Sequence, residues 1–200
     1  IGAINPNKLN KLLQLKNESM QQQSFLYNST YSSLFMVLHL LIRQEPFTSI
    51  HIKYQDNKFD VPSRIFHSIK DNFERVYNQN SNFRELIPEF FFSTEFLMNN
   101  NNFDLGQLPN GEIINDVILP NWAKSAYDFV YKHRKALESE YVSLHINQWI
   151  DLIWGYKQKG KEAIAAENTF DPFFYEDVWE KFDGTDETSR KMIESFLINC

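Results

Sequence analysis

The chain has 200 residues, a formal net charge of −6 and 18 Phe within an aromatic share of 16%, enough aromatic bulk for a sizeable core and too much for disorder of the whole chain. The negative balance argues against general nucleic-acid binding and against a polybasic membrane-surface patch, both of which need a basic field. A single cysteine, Cys200, excludes an intrachain disulfide framework and suits a reducing cytosolic compartment.

Residues 1–24 are polar and rich in Asn, Gln and Lys, but Leu9, Leu12, Leu13 and Leu15 stand at nearly helical spacing. This predicts a short helix over 8–15 and a loop over 19–23. The run 33–42 is apolar except for His39. It is about half the roughly 20 residues that a membrane span requires, so it reads as a buried central helix. Pro46 ends it, because a residue before proline is pushed out of the α region. Ile50, Ile52 and Tyr54 alternate with polar residues, which predicts a half-buried strand. Pro62 suits the first turn of a helix over 63–69 with Ile65, Phe66 and Ile69 inward, and Phe73, Val76 and Tyr77 continue the amphipathic pattern.

Residues 83–98 crowd nine large apolar side chains around Pro88. Proline disrupts a helix interior, so this segment is expected to be buried and largely non-helical. Its backbone groups then need partners, and Arg84, Glu85, Glu89 and Glu95 are close enough in sequence to serve. The asparagine run 99–102 reads as a surface turn, Pro109-Asn110-Gly111 as a tight turn, and 117–120 as a buried extended piece.

The chain is organised around 127–156. Ser125 followed by Asp128 is an N-cap pattern. Beyond it Tyr127, Val130, Leu137, Tyr141, His145, Trp149, Leu152 and Tyr156 recur every three, four or seven positions. One helix, or two broken near Ser139, would bury a face carrying Tyr141, Trp149 and Trp154, and Gly155 and Gly160 with Lys157 and Lys159 would stop it. Small residues over 162–170 predict another helix, ended by Asp171-Pro172. Phe173, Phe174, Tyr175, Val178 and Trp179 form a last aromatic cluster. A turn at 183–185 and a short helix over 189–199 close the chain. No signal peptide is visible, and a start at Ile1 with a stop at Cys200 reads as a piece of something longer.

The search for chemistry returns little. His39, His51, His67, His133 and His145 include no pair at i, i+4 and no His-Glu-x-x-His. His39 and His145 lie on apolar faces and read as satisfied core histidines. Glu138 and Glu140 are two apart and do not share a helical face. Asp151 reads as a half-buried structural acceptor with Arg134 as a possible partner. Glycine-rich phosphate loops are lacking, as is a nucleophile elbow. No catalytic, cofactor-binding or metal residue is assigned, and no cofactor is expected.

Seven motifs in order carry a family resemblance. They are Arg43-Gln-Glu-Pro-Phe-Thr-Ser49, Arg84-Glu-Leu-Ile-Pro-Glu-Phe-Phe-Phe92, Phe103-Asp-Leu-Gly106 and Val117-Ile-Leu-Pro-Asn-Trp-Ala123. His133-Arg-Lys-Ala-Leu-Glu-Ser139, Tyr141-Val-Ser143 and Trp149-Ile-Asp-Leu-Ile-Trp-Gly-Tyr-Lys-Gln158 complete the series. Together they resemble the BEACH domain over about 25–170, with a weak match at 171–200 and the first portion of the domain expected to be missing. Where the family has aromatic-Gly-Thr-His-Tyr-Ser, this chain has Tyr27-Asn28-Ser29-Thr30-Tyr31-Ser32, so Asn28 would take the glycine's positive φ and Thr30 lacks the imidazole. Trp154 stands where Phe is more usual, a larger filling that needs room.

The resemblance implies a mainly α fold: a single BEACH-like domain over 1–200, incomplete at both ends, with helices around a core of irregular extended segments and little β. It implies a non-enzymatic scaffold in a large multidomain protein of vesicle trafficking, lysosome or endosome dynamics and autophagy. The implied partners are a PH-like domain preceding it in cis, WD40 repeats in the parent chain and other trafficking proteins. Neither nucleic acid nor transmembrane insertion is implied, and the place is cytoplasmic, peripheral to endosomal, lysosomal or vesicle membranes. A hydrolase-type enzyme using acidic residues is the alternative.

Overall fold

Helix dominates the backbone, and proline and asparagine decide where it stops. The computed structural model describes residues 3–18, 25–175 and Lys191. Its α-helices are α1 (Pro6–Glu18), α2 (Leu34–Leu40), α3 (Phe47–Tyr54), α4 (Ile69–Asn78), α5 (Ala126–Leu137), α6 (Glu140–Ile153) and α7 (Gly160–Ala165). Short 3-10 turns lie at Pro62–Arg64, Pro88–Phe91, Glu95–Leu97 and Pro172–Phe174. Among the described residues β pairing is confined to isolated bridges, so the fold is mainly α. Two compact units divide the chain: the described parts of Ile1–Ser33, Val76–Glu85 and Asn147–Cys200 form one, and Leu34–Arg75 with Leu86–Ile146 the other. The expected loop at 19–23, the residues Val178 and Trp179, the turn at 183–185, the helix at 189–199 and Cys200 lie outside the described residues.

The unit containing Leu34–Arg75 is built on the irregular segment around Pro88. Phe90, Phe96 and Leu97 are buried there with Leu40, Leu41, Phe66, Val117 and Phe129. Phe96 meets Phe90 at 5.0 Å between centroids and stacks on Phe66 at 6.4 Å. As expected, the segment is non-helical apart from its two 3-10 turns. Its polar backbone is satisfied from several sides: the Glu95 carboxylate accepts from the Thr94 amide, Leu97 O accepts from Val117 N, and Phe91 O accepts from Arg134 Nε. The apolar run 33–42 is helical only as α2. Its last residues Leu38, Leu40, Leu41 and Ile42 are buried, whereas Leu34 is exposed.

Several sequence expectations fail in this unit. Leu86 and Phe92 of the segment around Pro88, and Ile118 of the piece expected to be buried over 117–120, are exposed. Three more expectations fail for identifiable reasons. The strand expected at Ile50–Tyr54 is helix α3. Before it, Gln44 O accepts from Thr48 N, and the Glu45 carboxylate accepts from both the amide and the hydroxyl of Ser49. These bonds nucleate a helical turn across Pro46, whose missing N–H costs nothing at a helix start. Thr48 and His51, three apart, then point inward. The helix expected over 63–69 is displaced: Ile65 and Phe66 are buried as expected, but in extended backbone. His67 O accepts from Ile118 N and Ile118 O from Ile69 N, so residue 118 holds this stretch out of helix until α4 begins at Ile69. Finally, the asparagine run is not all surface, since Asn99 is buried. Its side chain donates to Phe103 O and Asn115 Oδ1 and accepts from Phe103 N, while its amide donates to Asp116 Oδ1.

Beside Asn99, Arg43 is only 1% exposed. Its Nε donates to Asn115 O at 2.8 Å and its Nη1 to Phe66 O at 2.6 Å. Burial lowers the guanidinium's pKa to about 10 against an opposing pull from Asp116. The Pro109-Asn110-Gly111 turn forms as expected: Gly111 N donates to Leu108 O with φ at +90°, and Gln107 pairs antiparallel with Ile113.

The other unit buries Leu12 of α1 with Leu26, Tyr27, Phe83 and Phe170. Lys8 is 3% exposed; its ammonium donates to Val76 O at 2.9 Å and Asn82 O at 2.6 Å, and lies 4.3 Å from the Phe83 ring centroid. Burial lowers its pKa to about 8. Tyr27 bridges Phe170 in parallel. The helix expected over 162–170 ends at Ala165, because Glu167 turns to φ 53° and Asn168 swings its amide onto Leu152 O and Lys157 O. Asp171 therefore does not end this helix; its carboxylate accepts from Phe173 N and caps the 3-10 turn at Pro172–Phe174. Asn28 does not take up a positive φ; the non-glycine residues that do, among those described, are Asp56, Asn57, Asn102 and Glu167.

Candidate functional site

Side-chain chemistry is dispersed. Among the described residues no group of three or more His, Cys, Asp or Glu is placed to hold a metal ion. His145 is exposed rather than a core histidine; its ring stacks on Tyr141 at 4.4 Å, with Nδ1 2.7 Å from Tyr141 O. His39 is half-buried, 6.0 Å from the Phe66 ring. His67 faces Ile65 O through Nδ1 at 2.8 Å and Asp71 through Nε2 at 3.4 Å. His51 and His133 both have pKa values lowered by burial, opposed at His51 by Asp60. Asp151 is half-buried, but Arg134 donates to the Phe91 carbonyl.

The surface is the more informative feature, and it begins with how α5 and α6 are cut. Ser125 Oγ accepts from Asp128 N at 3.1 Å, and the Asp128 carboxylate accepts from Lys124 N at 2.8 Å, a reciprocal cap at the start of α5. Lys132 also reaches Asp128 and the Trp122 carbonyl. The hydrogen bond from the Lys132 ammonium, and after it the one from the Lys124 amide, hold the Asp128 carboxyl below the usual carboxylate range. Ser139 Oγ accepts from Val142 N and starts α6. Two helices with a break at Ser139 is thus the arrangement the sequence allows. Ala126, Phe129 and Val130 turn inward on α5. Phe129 stacks on His133 at 4.3 Å and on Trp122 at 5.3 Å, and meets Phe90 at 6.1 Å.

The face expected to be buried is largely the outer one. In the unit containing α5, Tyr127 is 70% and Tyr141 73% exposed, and Tyr131, Leu144 and Phe92 are exposed as well. In the other unit, Trp154 is 68% exposed, with Trp149, Ile150 and Tyr156 also open to solvent. Trp154 therefore sits edge-on to Trp149 at 5.1 Å and does not fill a core position. Of α6 only Ile153 is buried. Gly155 makes the turn after Trp154 possible, because a Cβ there would come within 2.6 Å of the Asp151 backbone. Gln158 Nε2 fixes the turn by donating to Ile153 O, and the Lys157 ammonium lies 5.4 Å from the Tyr156 ring centroid.

Periodicity showed that α6 has an apolar face. It carried no signal that both faces would stay open: over 140–150 every residue except the half-buried Val142 is exposed. Each large side chain moved from water into a packed contact contributes roughly 1.5–3 kcal/mol, and α6 leaves several such side chains exposed. Isolated helices of about this length are marginal in water, and α6 has little buried of its own.

The sequence model of the Beige/BEACH domain matches residues 1–200. The chain belongs to the BEACH domain family. It is 45% identical over 177 residues to "BEACH domain-containing protein B" of Arabidopsis thaliana, covering 88% of this chain and 7% of that protein. A "Putative neurobeachin homolog" of Caenorhabditis briggsae is 48% identical over 153 residues, 76% of this chain and 6% of that protein. "BEACH domain-containing protein lvsD" of Dictyostelium discoideum is 45% identical over 178 residues, 88% of this chain and 6% of that protein. This BEACH chain thus spans a small fraction of the length of the relatives it matches. Two BEACH motifs divide sharply by role. Arg43 of the first motif is built into the interior, whereas the Trp149–Gln158 motif presents Trp149, Trp154 and Tyr156 to solvent. Among the described residues no helix is long and apolar enough to cross a membrane.

Proposed function

We propose that the chain, taken as one BEACH-like domain, is a non-enzymatic scaffold module of a large multidomain trafficking protein. It works through protein–protein contacts, with a PH-like domain in cis as the first partner and WD40 repeats and other trafficking proteins beyond it. Its place is the cytoplasmic side of endosomal, lysosomal or vesicle membranes, as a peripheral component. The observation that supports this reading is the group of exposed aromatic side chains at and after the end of α6, Trp149, Trp154 and Tyr156. Exposed apolar patches of this kind mark contact sites, and Trp and Tyr are the residues that most often carry the energy of an interface. The small share of each relative's length that this chain covers fits a module among many. A hydrolase would need two carboxylates converging on one ligand atom. Asp128 and Glu95 are instead engaged with backbone amides.

The test is association with a PH-like domain supplied in trans. Binding is expected, and Trp154→Glu should weaken it at least tenfold while leaving the circular dichroism spectrum unchanged. A wild-type chain showing no association at high micromolar concentration, or binding indifferent to Trp154→Glu and Tyr156→Glu alike, overturns the reading.

A further inference from the structure

We draw no further inference here: the strongest candidate, the exposed aromatic and lysine-bearing patch of Trp154, Tyr156 and Lys157 that follows α6, belongs to the surface already described, and nothing in the structure shows what covers it.

Discussion

The Pro88 segment and α6 are opposites. The first has almost no regular backbone, yet it supplies Phe90, Phe96 and Leu97 to the interior. The second is regular helix from Glu140 to Ile153, yet it buries one residue. Regularity satisfies backbone hydrogen bonds locally and asks nothing of the side chains. An irregular segment must borrow its partners from elsewhere, and those partners hold it inside. Between these two segments the disorderly backbone marks the anchored one and the orderly backbone the one left open.

That contrast can be broken by mutation. The largest effect belongs to the irregular side. Phe96→Ala removes a fully buried ring and is expected to cost about 3–5 kcal/mol by denaturant unfolding. A loss under about 1 kcal/mol would mean the segment is not the anchor described. Arg43→Met comes next. It leaves the buried Phe66 carbonyl without its donor and takes the second donor, Nε, from Asn115 O, at a cost of about 2–4 kcal/mol once relief from a desolvated charge is set against it. Ser125→Ala deletes the α5 cap and should cost about 1 kcal/mol.

A pH titration sharpens the comparison further. Burial lowers the pKa of His51 and His133, so the unfolded chain takes up these protons more readily than the folded one. Their contribution to stability is fully present above about pH 6.5, the ordinary histidine value, and is lost as pH falls through their lower folded values. The unfolding midpoint should drop over that window, and less steeply in His133→Phe. Smallest of all is Trp154→Ala, expected within about 0.5 kcal/mol of wild type because its ring is already in water. If instead it rivals Phe96→Ala, α6 is an anchored element and the contrast collapses.

What could be read from the sequence was what is local. Ser125 with Asp128, the break at Ser139, the turn at Gly111 and the non-helical stretch at Pro88 each depend on residues a few positions apart. What could not be read was what distant chain imposes. The start of α4 is set by Ile118, some fifty positions on. The burial of Asn99 depends on Asn115 and Asp116. The short alternation at Ile50–Tyr54 fits either period, and bonds from Gln44 and Glu45 decide it. The exposure of α6 was illegible for a related reason: amphipathicity fixes a stripe, and only the packing of other segments decides whether anything covers it, which over 140–150 leaves every residue but Val142 exposed. The motifs themselves were legible, and the family followed from them; the surface that supports the proposed role had to be seen in three dimensions.

The run Phe90–Phe92 has a use of its own. Phe90 is buried, Phe91 half-buried and Phe92 61% exposed, so three identical rings sit at three depths along consecutive positions. They make a built-in depth gauge: one isotopic or fluorinated label, placed at each in turn, reports the local environment from interior to solvent with the side-chain chemistry held constant.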